Sequence, residues 1–481
     1  MMKLSVVILA AGLGKRMCSA LPKVMHPIGS KPMLAHVFAA AQSLSPDAIY
    51  IVQNAIRPLL SECFKPEVVT NPLCKLTWVT QAQQLGTADA LKSVLPYLDL
   101  SEREKEREGE EQVLILCGDT PLVSAELLDG FMKSLKPDLV KEHSCMGFIS
   151  ARVDNPTGFG RVIRDSQHSP IAIVEEREAN AAIRAITEIN SGIFCVSLHL
   201  LISLLPKLSN QNTQQEYYLT DLVQLAVSEG KAITAYLAPN AEEVMGVNTR
   251  YQQALVERLY QQKQVQKLMA EGVSIRDLNR VDIRGRLQCS PDVIIDVNTL
   301  FEGNNKIGAR TKIGANCILV NCEIGEDVEI LPFSYLSGVT VGKGCQIGPY
   351  ARIRPETVLA NNVKIGNFVE VKKSQIGTDS KINHLSYVGD AILGTSVNIG
   401  AGTITCNYDG LNKHQTIIED DVHIGSDTQL VAPLRIKQGT TIAAGSTIIQ
   451  DTEAGKLTLT QTLNQRVVDH WVRPVNQKIN K

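Results

Sequence analysis

Residues 341–371 read VGKGCQIGPYARIRPETVLANNVKIGNFVEV. Val341, Ile347, Ile353, Leu359, Ile365 and Val371 fall on every sixth position without a slip. That step is neither the helical period nor the two-residue alternation of a strand. It is the step of a hexapeptide coil, in which an aliphatic side chain fills the inside and small residues turn the corners. The phase extends both ways. Ile295, Phe301, Ile307, Ile313 and Leu319 come first, then Ile324, Ile330 and Leu336. Ile376, Ile382 and Val388 follow, then Leu393 and Ile399, and Ile424, Leu430, Ile436, Ile442 and Ile448 close the series. An all-β, left-handed parallel β-helix of hexapeptide repeats is expected. Only Cys406–Ile417 (CNYDGLNKHQTI) breaks step, and a loop that leaves a regular wall often carries function. The side surface and ends of such a coil need cover. A homotrimer is expected, with the less regular chain after Ile448, including Trp471, capping the coil or packing on a neighbour.

The first half has another texture. Short apolar runs at Leu4–Ala11, Ile49–Gln53, Leu76–Thr80, Val113–Cys117, Cys145–Val153 and Ile189–Val196 read as strands, and Pro32–Leu44 reads as a helix. Their alternation predicts a mostly parallel sheet with helices on its faces and ligands at the carboxyl ends of its strands. Ser101–Glu111 (SEREKEREGEE) is nearly all charge and reads as a solvated insertion. Asn248–Gly272 reads as one long polar connector helix closed by glycine, with Leu255, Leu259 and Val265 as its apolar stripe.

At 481 residues the chain holds about three domain equivalents of roughly 150 residues. Lys plus Arg number 48 against 50 for Asp plus Glu, a net charge of −2. That balance excludes a chain basic throughout and made for nucleic acid. No apolar run reaches the roughly 18 residues of a membrane span, so no membrane insertion is expected. The eleven cysteines are irregularly spaced and include no C-x-x-C, which argues for reduced thiols in a cytoplasmic protein. Lys3 with Leu4–Ala11 imitates a signal peptide, but Gly12, Gly14, Lys15 and Arg16 follow at once. A strand entering a glycine loop fits better.

That loop, Leu9-Ala10-Ala11-Gly12-Leu13-Gly14-Lys15-Arg16-Met17 followed by Leu21-Pro22-Lys23, suits phosphates. Glycines let backbone N–H groups approach closely, and Arg16 and Lys23 add cationic donors. It matches neither a Walker A loop nor G-x-G-x-x-G, and alone it is as readily a strand-to-helix turn. Gln81–Ala88 (QAQQLGTA) adds a polar, glycine-centred stretch suited to a base edge or ribose. Asp119, in Cys117-Gly118-Asp119-Thr120-Pro121, puts a carboxylate at a strand end, a natural oxygen ligand for Mg2+, although a turn or helix cap would also use it.

These motifs resemble the sugar nucleotidyltransferase family. Pro156-Thr157-Gly158-Phe159-Gly160-Arg161, Val174-Glu175, Glu188-Ile189-Asn190-Ser191-Gly192 and Gly246-Val247-Asn248 extend the match. Joined to the coil, nearly the whole chain is similar to a family of bifunctional bacterial enzymes, N-acetylglucosamine-1-phosphate uridyltransferase / glucosamine-1-phosphate N-acetyltransferase. The resemblance implies an α/β Rossmann-like nucleotidyltransferase domain at 1–247, a linker helix at 248–272 and the β-helix acetyltransferase domain with its tail at 273–481. It implies acetylation of glucosamine 1-phosphate by acetyl-CoA, then uridylyl transfer from UTP to N-acetylglucosamine 1-phosphate. It places Leu9, Ala10, Ala11 and Gly12 on uridine and phosphates, Arg16 and Lys23 on the triphosphate charge, and Gln81, Gly86 and Thr87 on uracil. Gly160, Glu175 and Asn190 fall on the acetylated sugar, and Asp119 and Asn248 on Mg2+. Cys117 stands where family members can carry an aromatic residue.

In the second half, acetyl transfer needs a base. His384, in Asn383-His384-Leu385-Ser386-Tyr387, lies just past the coil position Ile382. A lone corner histidine is usually only solvated, but Arg354, Glu370, Lys372, Tyr387, Asn398 and Lys413 are polar or charged companions that stacked coils would bring together. Arg354, Lys372 and Lys413 could hold a sugar phosphate, and Glu370 could orient His384. The resemblance implies the same: His384 as base with Glu370 as partner, and Arg354, Lys372, Tyr387, Asn398 and Lys413 on glucosamine 1-phosphate. Ala401, Asn407, Tyr408, Ser426 and Ala444 fall on acetyl-CoA, with Gln461 where the family usually offers an arginine and Arg466 nearby. Two alternatives remain: a single-function nucleotidyltransferase with a regulatory coil, and a non-catalytic scaffold. His384 and the Cys406–Ile417 excursion speak against the first, and Arg16, Lys23 and Asp119 against the second.

Overall fold

The computed structural model describes residues 3–56, 59–64, 74–98, 111–135 and 146–460. Residues 101–110 of the charged stretch, Cys145, Trp471, Gln461 and Arg466 lie outside them. Glu111 does not belong to a solvated insertion: it opens the strand Glu111–Cys117, where its carboxylate accepts from Ser5 Oγ at 2.7 Å and pairs with Lys3 at 3.1 Å. The chain divides into two compact units, 1–263 and 264–481.

The first unit is built on a sheet whose strands run in the order Ile233–Leu237, Met146–Arg152, Glu188–Ser197, Glu111–Cys117, Lys3–Leu9, Ala48–Asn54, Lys75–Gln81. Every neighbouring pair is parallel except those made by Glu188–Ser197, which runs antiparallel to both neighbours. Central strands are buried on both faces, so VVIL at Val6–Leu9 and VLIL at Val113–Leu116 are continuous apolar runs rather than alternations. One face packs Leu34, Val37, Phe38 and Ala41 of the helix Met33–Ser43; the other packs Leu222, Val223 and Ala226 of the helix Asp221–Ser228. Arg161–Arg164 and Pro170–Val174 form a hairpin attached through Glu188–Ser197.

The connector helix spans Arg250–Ala270. Its apolar residues do not form one stripe. Leu255 is 40% exposed, Val256, Leu259 and Tyr260 join Met17, Ile28 and Met33 in the first unit, and Val265 and Leu268 join the coil core. A helix that serves two cores presents a different face to each, so a single-stripe reading of its period fails.

The second unit is a parallel β-helix of two- to four-residue strands, with two longer strands, Val281–Cys289 and Thr299–Ile307, near its start, stacked in register on the strand one turn earlier. Every position named above on the six-residue step is 5% exposed or less. Residues such as Asn362, Asp379 and Asp421 turn corners in the left-handed region, which Asn and Asp tolerate better than most side chains. Phe333, Tyr350 and Phe368 occupy equivalent corners of consecutive turns, with ring centroids 5.0 and 5.2 Å apart. Thr405 takes an inward place beside the excursion, where its hydroxyl accepts from Gly389 N–H at 2.8 Å.

Candidate active sites

In the first unit the strand ends align. Leu9 is in register with Val52 and with Cys117, and Asn54 with Gln81. Gly118 N–H donates to Leu9 O and Ala10 N–H to Val52 O, both at 2.9 Å. Leu9, Ala10, Ala11 and Gly12 therefore leave the sheet beside the loop that carries Asp119. Ala11 O accepts from Asn54 Nδ2 at 3.3 Å and Gln84 Nε2 at 2.7 Å. Buried Met17 anchors the loop, while Gly12 and Arg16 are exposed. Gly14 has φ +60°, and a Cβ there would lie 2.6 Å from Lys23 Cβ, so glycine lets the loop close on Lys23.

Lys23, Asp119 and Asn248, far apart in sequence, meet at one corner. Lys23 Nζ donates to Asp119 Oδ2 and, at 3.0 Å, to Asn248 Oδ1. Lys23 thus lies beside the glycine loop and also meets these two oxygens. Val247 N–H donates to Asp119 O at 2.9 Å and fixes the two loops together. Two hard oxygen donors already share one cation, the Lys23 ammonium, so the donor chemistry fits a divalent ion such as Mg2+. Among the described residues no group of three or more His, Cys, Asp or Glu is placed to hold a metal. Cys117 lies beside this corner, its thiol pushed up to about 12 by burial and by the Asp119 charge.

Gln81 is buried, and its amide donates to Asp89 Oδ2 at 2.7 Å and to Gly86 O at 3.3 Å. Gly86 has φ +112°, and a Cβ there would fall 2.5 Å from Tyr217 O. Thr87 Oγ1 accepts from Leu219 N–H at 3.0 Å. The stretch is therefore a rigid turn held by its own side chains. Gly160, Glu175 and Asn190 converge: Asn190 N–H donates to Gly160 O at 2.9 Å, and a Cβ on Gly160 would sit 3.4 Å from Glu175 Oε1. Burial holds the Glu175 carboxyl above its usual range, opposed by a hydrogen bond from Thr220 Oγ1 at 3.1 Å.

In the second unit His384 ends the strand Lys381–His384, in register with Asn367 one turn earlier. Its Nδ1 lies 2.8 Å from Asn367 Oδ1. An amide oxygen only accepts, so this contact suits the tautomer with its proton on Nδ1, in which Nε2 is the accepting nitrogen. Among the described residues Glu370 makes no hydrogen bond to His384. It accepts from Arg354 NH1 at 2.8 Å and stands in register with Tyr387 on another face of the coil. Asn367 was missed by sequence reasoning, although a spacing of one coil turn was the available signal.

Lys372 pairs with Asp390 at 3.5 Å, and Asn407 Nδ2 donates to the same carboxylate at 2.5 Å. Asp390, also missed, is the hub that ties the wall to the excursion. Lys413 meets Lys372, and its pKa is lowered by the hydrogen bond and charge of that neighbour. Two ammonium groups that close invite an anion. Asn407 is buried in this network with its side-chain amide on Asp390. Tyr408 is exposed and closes the excursion by a bridge to Lys413. Asn398 lies on the face of His384, in register with Lys381 and His423. Ala401, Ser426 and Ala444 follow glycines 400 and 425 and residue 443 on three consecutive turns, linked by Asp427 N–H to Ala401 O at 2.7 Å and Gly445 N–H to Ser426 O at 2.8 Å.

A charged loop at the strand ends of a nucleotide-type sheet and an imidazole on a hexapeptide coil suit group-transfer chemistry, the class of a transferase. The model of the MobA-like NTP transferase domain matches residues 6–179, and that of the GMPPB C-terminal domain matches 283–365 and 347–434. The protein named bifunctional protein GlmU of Nitrosospira multiformis is 47% identical over 478 residues, 99% of each chain. Its namesake in Nitrosomonas europaea is 48% identical over 476 residues, 98% of this chain and 99% of that one. The chain belongs to the bifunctional GlmU family. It is a transferase with acetyltransferase and uridyltransferase activities in UDP-N-acetylglucosamine synthesis. Among the described residues no helix is long and apolar enough to cross a membrane.

Proposed function

We propose that the two activities occupy separate sites: uridylyl transfer in 1–247, a connector at 248–272, and acetyl transfer in 273–481. The observation that carries this is the pairing of two unlike clusters, Lys23–Asp119–Asn248 at the sheet and Asn367–His384 on the coil. On the coil, His384 Nε2 takes a proton from the amine of glucosamine 1-phosphate as its nitrogen attacks the thioester carbonyl of acetyl-CoA. The C–S bond breaks, and the coenzyme leaves as a thiolate that is then protonated. Lys372, Lys413 and Arg354 supply positive charge for the phosphate, with Tyr387 and Asn398 on the sugar. Ala401, Asn407, Tyr408, Ser426 and Ala444 line the coenzyme side. At the sheet, a phosphate oxygen of N-acetylglucosamine 1-phosphate attacks the α-phosphorus of UTP, and the bond to the β-phosphate breaks to release pyrophosphate. The nucleophile is already anionic, so positioning and charge neutralisation do the work. Asp119 and Asn248 would hold Mg2+, which when bound would screen the phosphate charge. Arg16 adds positive charge, Leu9–Gly12 and Gln81, Gly86 and Thr87 seat the nucleotide, and Gly160, Glu175 and Asn190 seat the sugar. We place the protein in the cytoplasm as a homotrimer. The test is one assay with glucosamine 1-phosphate, acetyl-CoA, UTP and Mg2+, each omitted in turn: UDP-N-acetylglucosamine should require all four, and its formation without acetyl-CoA would defeat the proposal.

A fragment ending at Lys263 should keep UTP-dependent activity on N-acetylglucosamine 1-phosphate. One cut near residue 250 loses the packing of Val256, Leu259 and Tyr260 on the first unit, about 3–6 kcal/mol by area, and should melt measurably lower. The lowered pKa of Lys413 gives a pH signature. As pH rises, Lys413 should lose its charge before an ordinary lysine would, weakening phosphate binding. The product-inhibition constant of N-acetylglucosamine 1-phosphate against acetyl transfer should therefore climb on the alkaline side, and Lys372→Met should move that climb to higher pH.

A further inference from the structure

One buried side chain in the first unit is used by none of the roles above. Arg161 begins the strand Arg161–Arg164 and is 1% exposed. Its NH1 donates to Phe159 O, and its NH2 to Glu176 Oε2 at 2.6 Å and to Arg184 O at 3.4 Å. Glu176 also accepts from Gly158 N–H at 3.3 Å. The buried Nε of Arg161 has no partner among the described residues. Arg161 is buried but the carboxylate of Glu176 is partly exposed, so the pair is partly screened by water while the guanidinium bears its desolvation and an unsatisfied N–H. Stability is therefore a poor account of Arg161.

Position is a better one. Gly160 directly precedes Arg161, Glu175 directly precedes Glu176, and Asn190 directly follows Ile189, the cross-strand partner of Arg161. Each residue assigned to the acetylated sugar is thus chain neighbour to a group that this one guanidinium or its strand holds. The bond from Asn190 N–H to Gly160 O ties two of the three together, and Glu175 Oε1 would be in ordinary contact, 3.4 Å, with a Cβ on Gly160, so a shift of the Arg161 strand is passed to its neighbours. We propose that Arg161 is a positioning residue whose bond to Glu176 sets the spacing of Gly160, Glu175 and Asn190, and with it the affinity for the acceptor sugar phosphate. This rests on the assignment of those three residues to the sugar.

The test is uridylyl-transfer kinetics on the full chain for Arg161→Lys, Arg161→Met, Glu176→Gln, the Met/Gln double variant and Glu175→Gln, with melting temperatures alongside. Arg161→Met should raise KM for N-acetylglucosamine 1-phosphate by about tenfold or more, with kcat and KM for UTP within about twofold. Glu176→Gln should act alike, the double variant should add little to either, and Arg161→Lys should recover part of the loss. Arg161→Lys keeps a cation within reach of Glu176 and serves where Arg161→Met fails to fold. A fall in kcat or a rise in KM for UTP as large as the acceptor effect overturns the proposal, as does additivity in the double variant. Should Glu175→Gln raise the acceptor KM while Arg161→Lys and Glu176→Gln leave it unchanged, the positioning role alone is lost. An unchanged acceptor KM in Glu175→Gln would instead remove the sugar assignment beneath it.

Discussion

His384→Ala should cut acetyl transfer by about a hundredfold to ten-thousandfold, the usual worth of a positioned general base, and leave uridylyl transfer nearly untouched. The side chain is exposed at the end of a coil strand, so its loss opens no cavity in the core. What disappears is the lone pair on Nε2, which the bond between Nδ1 and Asn367 Oδ1 keeps available. Asn367→Leu should therefore lower kcat for acetyl transfer as well, by less than removal of the imidazole, because the ring would stay while its tautomer and angle were released. Glu370→Gln should act differently, raising KM for glucosamine 1-phosphate, because Glu370 braces Arg354. The measurement is the two half-reactions assayed separately on each variant. Equal loss of both activities in His384→Ala would sink the two-site arrangement, and a Glu370→Gln variant as slow as His384→Ala would restore Glu370 as the partner of the base.

The second large effect is expected at the sheet. Asp119→Ala should reduce Mg2+-dependent pyrophosphate release by about a hundredfold or more and spare acetyl transfer. Asp119 is the only carboxylate hydrogen-bonded to Lys23 among the described residues, and Asn248 is its neutral companion. Without the carboxylate, Lys23 keeps one amide oxygen and the corner loses its negative charge, so a divalent ion has little reason to stay. Asp119→Asn should fall between, keeping an oxygen but not the charge, and should need more Mg2+ for half-maximal rate. Pyrophosphate release that persists at the wild-type rate in Asp119→Ala would show that the ion is held elsewhere.

The coil was legible because its period is the fold: one residue in six must be apolar, and no helix or flat sheet shares that step. The sheet was legible for the opposite reason. Its central strands are buried on both sides and show as unbroken runs such as Val6–Leu9. The connector was half legible. Its length is plain in the sequence, but Leu255 faces out because two cores divide the helix. At the sites, residue types were visible and partners were not. Lys23 carries the charge expected of a phosphate ligand, yet which oxygens it meets depends on Asp119 and Asn248, more than ninety residues away. Glu370 was the obvious companion for His384 by type, but register stacks it on Arg352, its carboxylate accepts from Arg354, and His384 meets an amide instead. Asp390 carried no motif at all; only stacking brings it under both Lys372 and Asn407.

Stacking turn upon turn makes the second unit a ruler. Asn367 and His384 meet because seventeen residues carry the chain once around. The circuit from Ile347 to Ile365 takes eighteen residues and the next, to Ile382, takes seventeen, so a corner can absorb one residue, whereas excising the whole circuit that carries Asn367 would preserve the packing yet remove the partner of the base. Evolutionary drift in this half of the molecule should therefore be free in composition at the outer surface and in length at the corners, and strict in which inward residues stack.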